Sequence, residues 1–355
     1  MKKAHIRAYR PGDSKAVSTF MTESFVRHLP YEVRSHSPAY YAWKYENNPY
    51  ADPVVWVAEH SGEIAGLMCV IPRMAFINGG NVLAGEVGDT FIRPDCRGSN
   101  LFMRMSGQVY KECAARQLGF IYGLPNAVSF PVYVNIFNYR VLFECKSCVR
   151  PLRFGTILQK HLFDAPSADF LGRCTQKIFN SFFRIKHDSR ISIEQADRCG
   201  SVYDAVWDRL KTDITYGFRK DRTYVQWRFI DNPDEYTLLI LRKNAVPYGW
   251  VCIKLSSVRE VTFAQIVDYL LPCGDIERFR KSIGAVLGFC RDLHADAAEM
   301  LIPSHASVYK PARKAGFIPR KKEYRCIARP TGWSLPGDMQ NSALWRFTKA
   351  DTDNV

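Results

Sequence analysis

One segment occurs twice in this chain, and that repetition limits the folds open to it more than any other feature. Tyr40-Tyr41-Ala42-Trp43-Lys44-Tyr45-Glu46-Asn47-Asn48-Pro49 returns as Tyr224-Val225-Gln226-Trp227-Arg228-Phe229-Ile230-Asp231-Asn232-Pro233, at an offset of 184. Two extended stretches follow each copy, Val54–His60 and Ile64–Ile71 in the first, Tyr236–Arg242 and Tyr248–Leu255 in the second. Further on, Leu124-Pro125-Asn126 matches Ile302-Pro303-Ser304, and Phe137-Asn138-Tyr139 matches Ala315-Gly316-Phe317, both at an offset of 178. Order and near-constant spacing across four segments imply tandem copies of one unit, the second shorter by six residues between its anchors. At 355 residues the chain can hold two domains of ordinary size. The expected division is a first copy over 1–152, a helical linker over 153–190, a second copy over 191–330 and a tail over 331–355.

Within the first copy the signals alternate between strand and helix. A short strand (His5–Tyr9) precedes a helix that starts at the N-cap candidate Asp13 and runs to about Phe25. A second helix covers Pro38–Glu46. The two strands that follow are joined by Ser61-Gly62, and Asn78-Gly79-Gly80-Asn81 marks another hairpin. Val87–Ile92 then reads as a strand, Pro94–Asn100 as a turn, and Leu101 onward as a helix to about Leu118. A strand (Phe120–Leu124), a helix (Ser129–Phe137) and a closing strand (Val141–Arg150) complete the unit.

The strand–turn–helix at Val87–Ser106 carries the chemistry. Such a turn places unpaired backbone N–H groups and the positive end of a helix dipole together, a ready site for phosphate. Asp95-Cys96-Arg97-Gly98-Ser99-Asn100 resembles the pyrophosphate loop of GCN5-related N-acetyltransferases, Gln/Arg-x-x-Gly-x-Gly/Ala. Asp95 departs from the Gln/Arg of that pattern, and Asn100 from its second Gly, although Asn tolerates left-handed backbone. Phe120–Asn126 is similar to the family's next strand and Pro131–Tyr139 to the helix after it.

The resemblance implies an α/β (α+β) chain of two tandem domains, each a mixed, mostly antiparallel sheet flanked by helices. It also implies acetyl-CoA as co-substrate, held by Thr90, Phe91 and Ile92 on the strand, by Arg97, Gly98, Ser99, Asn100, Leu101 and Phe102 at the loop, and by Asn126. The second copy lacks the turn: Asp268–Pro272 leads into Cys273-Gly274-Asp275-Ile276-Glu277-Arg278-Phe279, where Asp275 and Glu277 would repel a pyrophosphate. One cofactor per chain is therefore expected.

Acetyl transfer to an amine requires proton removal from the amine, polarisation of the thioester carbonyl and a proton for the leaving thiolate. By resemblance the base falls near Glu86, with Asp89 as the competing carboxylate. Asp268 stands at the place of Asp89 in the copy without a loop, which favours a structural role for that aspartate. The family's acid, a tyrosine, falls on Val134, leaving Tyr133 as its neighbour and a core aromatic as the plainer reading.

Composition narrows the remaining classes. Apolar residues make up 47% and aromatics 13%, enough for sizeable cores. The N-terminus MKKAHIRAYRPGD lacks a signal-peptide centre, and eleven scattered cysteines fit reduced thiols, so a cytoplasmic protein is expected. Cys145 and Cys148 form a lone C-x-x-C, and no metal is expected. A net charge of +14 asks for anionic company without choosing it, and no nucleic-acid signature is present.

In the linker, Phe170–Ile185 reads as a basic amphipathic helix suited to packing or to a membrane surface. After Phe347 the tail turns polar and is expected to be loose. Three functions stay open: an N-acetyltransferase acting on a small-molecule amine, a tandem aminoacyl transferase using charged tRNA, and a non-catalytic scaffold. Within the first, Trp43-Lys44-Tyr45-Glu46-Asn47-Asn48-Pro49, Gly88-Asp89-Thr90 and Tyr122-Gly123-Leu124-Pro125-Asn126 resemble enzymes that acetylate amino sugars for polysaccharides. Oligomeric state is not legible.

Overall fold

Two-residue turns set the register of the first sheet. Ser61 and Gly62 take φ of 55° and 86°, Asn78 and Gly79 take 49° and 83°, the left-handed pair that lets a two-residue hairpin match strand twist. The computed structural model describes residues 4–28, 36–98, 100–161, 165–186, 188–258 and 260–352. Its elements begin with β1 (His5–Ala8), α1 (Ser14–His28), α2 (Pro38–Glu46), β2 (Val54–His60), β3 (Glu63–Ile77) and β4 (Gly80–Ile92). Next come α3 (Leu101–Ala115), β5 (Phe120–Gly123), α4 (Phe130–Asn135), β6 (Arg140–Pro151), α5 (Phe154–His161) and α6 (Ala165–Phe182). The remainder is β7 (Ile191–Ala196), α7 (Val202–Leu210), β8 (Tyr216–Phe218), α8 (Arg222–Val225), β9 (Thr237–Lys243), β10 (Val246–Val258), β11 (Val261–Leu270), α9 (Ile276–Asp292), β12 (Ala297–Pro303), α10 (Tyr309–Lys314) and β13 (Ile318–Pro330). A π-helical turn, Gln226–Ile230, continues α8.

The chain divides into two compact units that are discontinuous in sequence. The first comprises Met1–Val141, Gln226–Asp234 and Ile327–Gly337; the second comprises Leu142–Val225, Glu235–Cys326 and Asp338–Val355. In the first, β1-β2-β3-β4 pair antiparallel, β5 lies parallel to β4, and Ile327–Pro330 of β13 runs antiparallel to β5. In the second, β7-β9-β10-β11 pair antiparallel, β12 lies parallel to β11, and Cys145–Pro151 of β6 runs antiparallel to β12. Both are mixed α/β units built on mostly antiparallel sheets, and they repeat one succession of pairings.

Alternation along the strands gives the first sheet two buried faces. Val54, Ala58, Met68 and Val70 pack on one face against Leu101, Met105, Val109 and Cys113 of α3. Val55, Val57, Leu67, Cys69 and Ile71 pack on the other against Val17, Phe20 and Met21 of α1 and the aromatics of α2. Trp227 belongs to that second face, stacked on Trp43 at 5.1 Å and accepting the Trp43 indole N–H on its carbonyl at 2.8 Å.

The tail departs from the expected loose segment. Phe347, Thr348, Ala350, Asp351 and Thr352 are buried in the second unit. Asp351 accepts the Thr348 backbone N–H at 2.7 Å in a capping box and pairs with buried Lys220 at 3.1 Å. A polar composition misled here because the polar groups find one another: Lys220 also holds Asp268, which accepts from Thr348 Oγ1 at 2.8 Å and Tyr224 Oη at 2.6 Å. Burial pushes the Asp351 carboxyl above the usual aspartate range.

Candidate active site

The site begins at a bulge in β4. Met68 pairs with Thr90 but Val70 with Val87, so Gly88 and Asp89 together stand opposite Cys69. An extra residue re-aims the side chains beside it. Asp89 is turned toward α2, where Lys44 and the Tyr45 hydroxyl, the latter at 2.7 Å, both donate to Oδ2. β11 repeats the irregularity, since Cys252 pairs with Asp268 and Ile253 with Ile266. In both units the aspartate at the bulge is gripped by a lysine and a tyrosine.

Past the bulge, β4 parts from β5. Their ladder runs from Ala84–Phe120 to Glu86–Tyr122 and stops, whereas Thr90, Phe91 and Ile92 stay paired with Met68, Leu67 and Gly66 of β3. Among the described residues, the β5-facing edge of Gly88–Ile92 has no strand partner. An extended ligand can add there as a strand would.

The loop after Ile92 delivers the chain to α3. Pro94–Cys96 form a 3₁₀ turn, Gly98 takes φ +80°, and Asn100 sits left-handed at φ 59°, ψ 14° as the N-cap. Asn100 makes no side-chain cap bond and the first turn of α3 carries no acidic residue. Among the described residues, its first N–H groups therefore have no intrahelical or side-chain capping acceptor. A Cβ placed on Gly98 would meet nothing within 4 Å. Arg97 folds over this mouth, Nε donating to Ile92 O at 3.0 Å with its guanidinium 5.4 Å from the Phe91 ring. Ser99 lies outside the described residues.

Asp95, the residue least suited to a phosphate loop, is exposed and bound by Arg93 Nε at 2.7 Å. That hydrogen bond holds its carboxyl below the usual range. In the second unit the matching helix terminus is closed by its own residue: Asp275 accepts the N–H of Glu277 at 2.8 Å and of Arg278 at 3.1 Å. A carboxylate there already occupies the anion position.

The remaining expected residues fall into distinct surroundings. Glu86 is 2% exposed and receives Arg73 Nε at 3.0 Å and Nη2 at 2.7 Å on one oxygen, while Arg73 stacks on Trp227 at 4.8 Å. Tyr133 is buried, with its hydroxyl 3.4 Å from Thr90 Oγ1, and Thr90 in turn donates to Gly88 O at 2.8 Å. Burial raises the Tyr133 phenol well above its ordinary range, against a smaller lowering by the Thr90 bond.

Ile92 and Leu101 are core side chains, and Phe102 packs against that core beside Phe137 at 5.5 Å, so their backbones are what they can offer a ligand. The side chain of Asn126 holds the turn before α4, accepting from Val128 N at 3.0 Å and Ser129 N at 2.9 Å. Lys44, Tyr45, Arg73 and Arg93 were not anticipated. For Arg73 a signal existed: the Asn78-Gly79 turn sets Arg73 opposite Ala84, which puts Glu86 two places along on the same face.

Residues 5–141 match the family model of the acetyltransferase (GNAT) domain. No curated protein matches the chain by sequence. Among solved structures, a probable N-acyltransferase from Enterococcus faecalis, a conserved protein of unknown function, is similar with a TM-score of 0.66 at 10% identity, over 93% of this chain and 73% of its own. A GCN5-related N-acetyltransferase from Anabaena variabilis gives 0.64 at 10% identity, over 93% and 73%. The N-myristoyltransferase of Saccharomyces cerevisiae, with bound myristoyl-CoA, gives 0.62 at 9%, over 92% and 83%. At such identities the likeness is one of fold. The loop at α3 lies within residues 5–141, the stretch similar to the acetyltransferase (GNAT) domain, and that match supports an acetyltransferase enzyme.

Proposed function

We propose that the first unit binds acetyl-CoA and transfers its acetyl group to an amine of a small molecule. The observation that carries this reading is the open N-terminus of α3, free of a side-chain cap, behind a turn with room for an anion. The family match and a neighbour that holds an acyl-CoA support the same donor chemistry. Backbone N–H groups of the loop face the pyrophosphate, and the unpaired edge of Gly88–Ile92 receives the pantetheine arm and turns a donor to the thioester carbonyl. The amine nitrogen attacks that carbon, the C–S bond breaks, and the sulfur takes a proton as the amine loses one. Tyr133 is the donor we assign, because its hydroxyl reaches β4 and burial keeps it protonated.

Glu86 and Asp89 are both held in ion pairs. We assign them to fixing β4, which leaves deprotonation of the acceptor to solvent. The acceptor class we favour is an amino sugar of polysaccharide assembly, on the three motif likenesses alone.

Calorimetry tests the donor: one micromolar site for acetyl-CoA is expected, and absence of binding at millimolar ligand overturns the reading. Tyr133→Phe should lower turnover by about 10²-fold, the low end for a general acid, with acetyl-CoA affinity kept. Unchanged turnover, followed as free thiol released with an amino-sugar acceptor, removes Tyr133 from the chemistry.

A further inference from the structure

Helix α6 of the second unit has three faces, and only one is explained by the fold. Toward the unit, Gly172 lies in backbone contact with Gly155 of α5, so close that a Cβ would collide with the Gly155 Cα. Phe179 stacks edge-on to Phe154 at 5.3 Å under the Arg150 guanidinium at 5.2 Å, and Gln176 Oε1 accepts the Phe154 N–H at 3.2 Å. At about 100° per residue, Phe170, Leu171, Cys174, Ile178 and Phe182 then form an outward stripe. Phe170 is 68%, Ile178 59% and Phe182 80% exposed, and Cys174 is exposed as well. Arg173 and Lys177 border that stripe on one side, and exposed Arg184 and Lys186 follow the last turn. No helix of the described residues is long and apolar enough to cross a membrane.

We propose that the outward face of α6 docks on an anionic lipid bilayer, its aromatic stripe entering the headgroup–acyl boundary and its basic border meeting the lipid phosphates. Large apolar side chains next to a row of cations are the arrangement that an interfacial helix requires, since burial and charge attraction then act on one surface. A second copy of the chain is a poorer occupant. A two-fold contact with the helices parallel would bring Lys177 and Arg184 against their own counterparts, like charge on like. The overall charge of +14 has the sign that favours an anionic surface.

The test is co-sedimentation of the full chain with phosphatidylcholine vesicles, with and without phosphatidylglycerol. Binding should need phosphatidylglycerol and be reversed for the wild-type protein by high salt. Lys177→Glu with Arg184→Glu should weaken it by at least about 10-fold, and Phe170→Ser with Phe182→Ser by about 10-fold or more. These side chains are exposed, so unchanged melting is expected of both double variants. Wild-type protein left in solution beside the anionic vesicles, or a charge-reversed variant that binds as well as wild type, overturns the proposal. So does a lipid-free dimer that the Phe170→Ser, Phe182→Ser pair turns into monomer, because the face then belongs to a second copy.

Discussion

Gly98→Asp loses acetyl-CoA binding by at least about 10²-fold while the protein keeps its fold. The size follows from charge: a carboxylate a few ångströms from a pyrophosphate in partly screened surroundings opposes it by several kcal/mol, about 4 per pair of unit charges at 4 Å. The fold survives because a Cβ at Gly98 meets nothing within 4 Å, so the substitution strains only the backbone at φ +80°. That strain costs about 1–2 kcal/mol for an ordinary residue and less for Asn or Asp. Gly98→Asn is the matching control, with similar backbone demands and no charge, and should keep most of the affinity. Calorimetry of the two variants with acetyl-CoA reads the difference. Equal affinities for Gly98→Asp and wild type would mean that the phosphate site lies elsewhere.

Arg73→Ala is the substitution expected to cost most stability. Glu86 is 2% exposed and receives two hydrogen bonds from Arg73, itself 3% exposed, so truncation removes the guanidinium that faces a buried carboxylate. Breaking one side of such a buried pair costs about 3–5 kcal/mol, and the loss of the guanidinium from the Trp227 face removes packing as well. The melting point of the first unit should fall on the order of 10 °C. Replacing both partners, Arg73→Met with Glu86→Leu, should restore most of it, because neither member of the pair is then left charged. A melt of Arg73→Ala within a degree of wild type refutes the buried pair. The same pair bears on catalysis. To take a proton, Glu86 would forfeit two charge-assisted bonds, so Glu86→Gln should leave the pH dependence of kcat/KM unchanged, with the rate still rising along the acceptor's own amine titration. A profile that flattens in Glu86→Gln would return Glu86 to the role of base.

The elements were readable because local chemistry specified them. Pro38–Glu46 and Val54–His60 occupy the expected spans, and both glycine-bearing hairpin turns adopt left-handed backbone. The turn before α3 was readable as a turn for the same reason: Gly98 and Asn100 are residue types that tolerate positive φ, and both use it. What stayed hidden depends on partners far along the chain. Nothing in Asp89 itself announces Lys44, and nothing in Trp43 announces that its stacking partner is Trp227. The linker helix was half legible. Its periodicity was plain, but only packing against Phe154 and Gly155 decides that Phe179 turns inward while Phe170 and Phe182 face out. The tail misled because composition reports polarity without pairing, and Lys220, Asp268 and Asp351 satisfy one another out of water.

The strand that flanks β5 in the first unit comes from Ile327–Pro330, and the strand that flanks β12 in the second comes from Cys145–Pro151. Add the Trp227 segment, and the first unit is assembled from three segments interleaved with those of the second. During synthesis the earliest residues must therefore wait for almost the whole chain before β5 gains its second neighbour. Such contacts have high contact order, so loop-closure entropy has to be met before they give anything back, and folding is slow. Until then β5 remains an open edge, a template for pairing with other nascent chains. A shortened gene ending at Val141 would yield an edge with no cover.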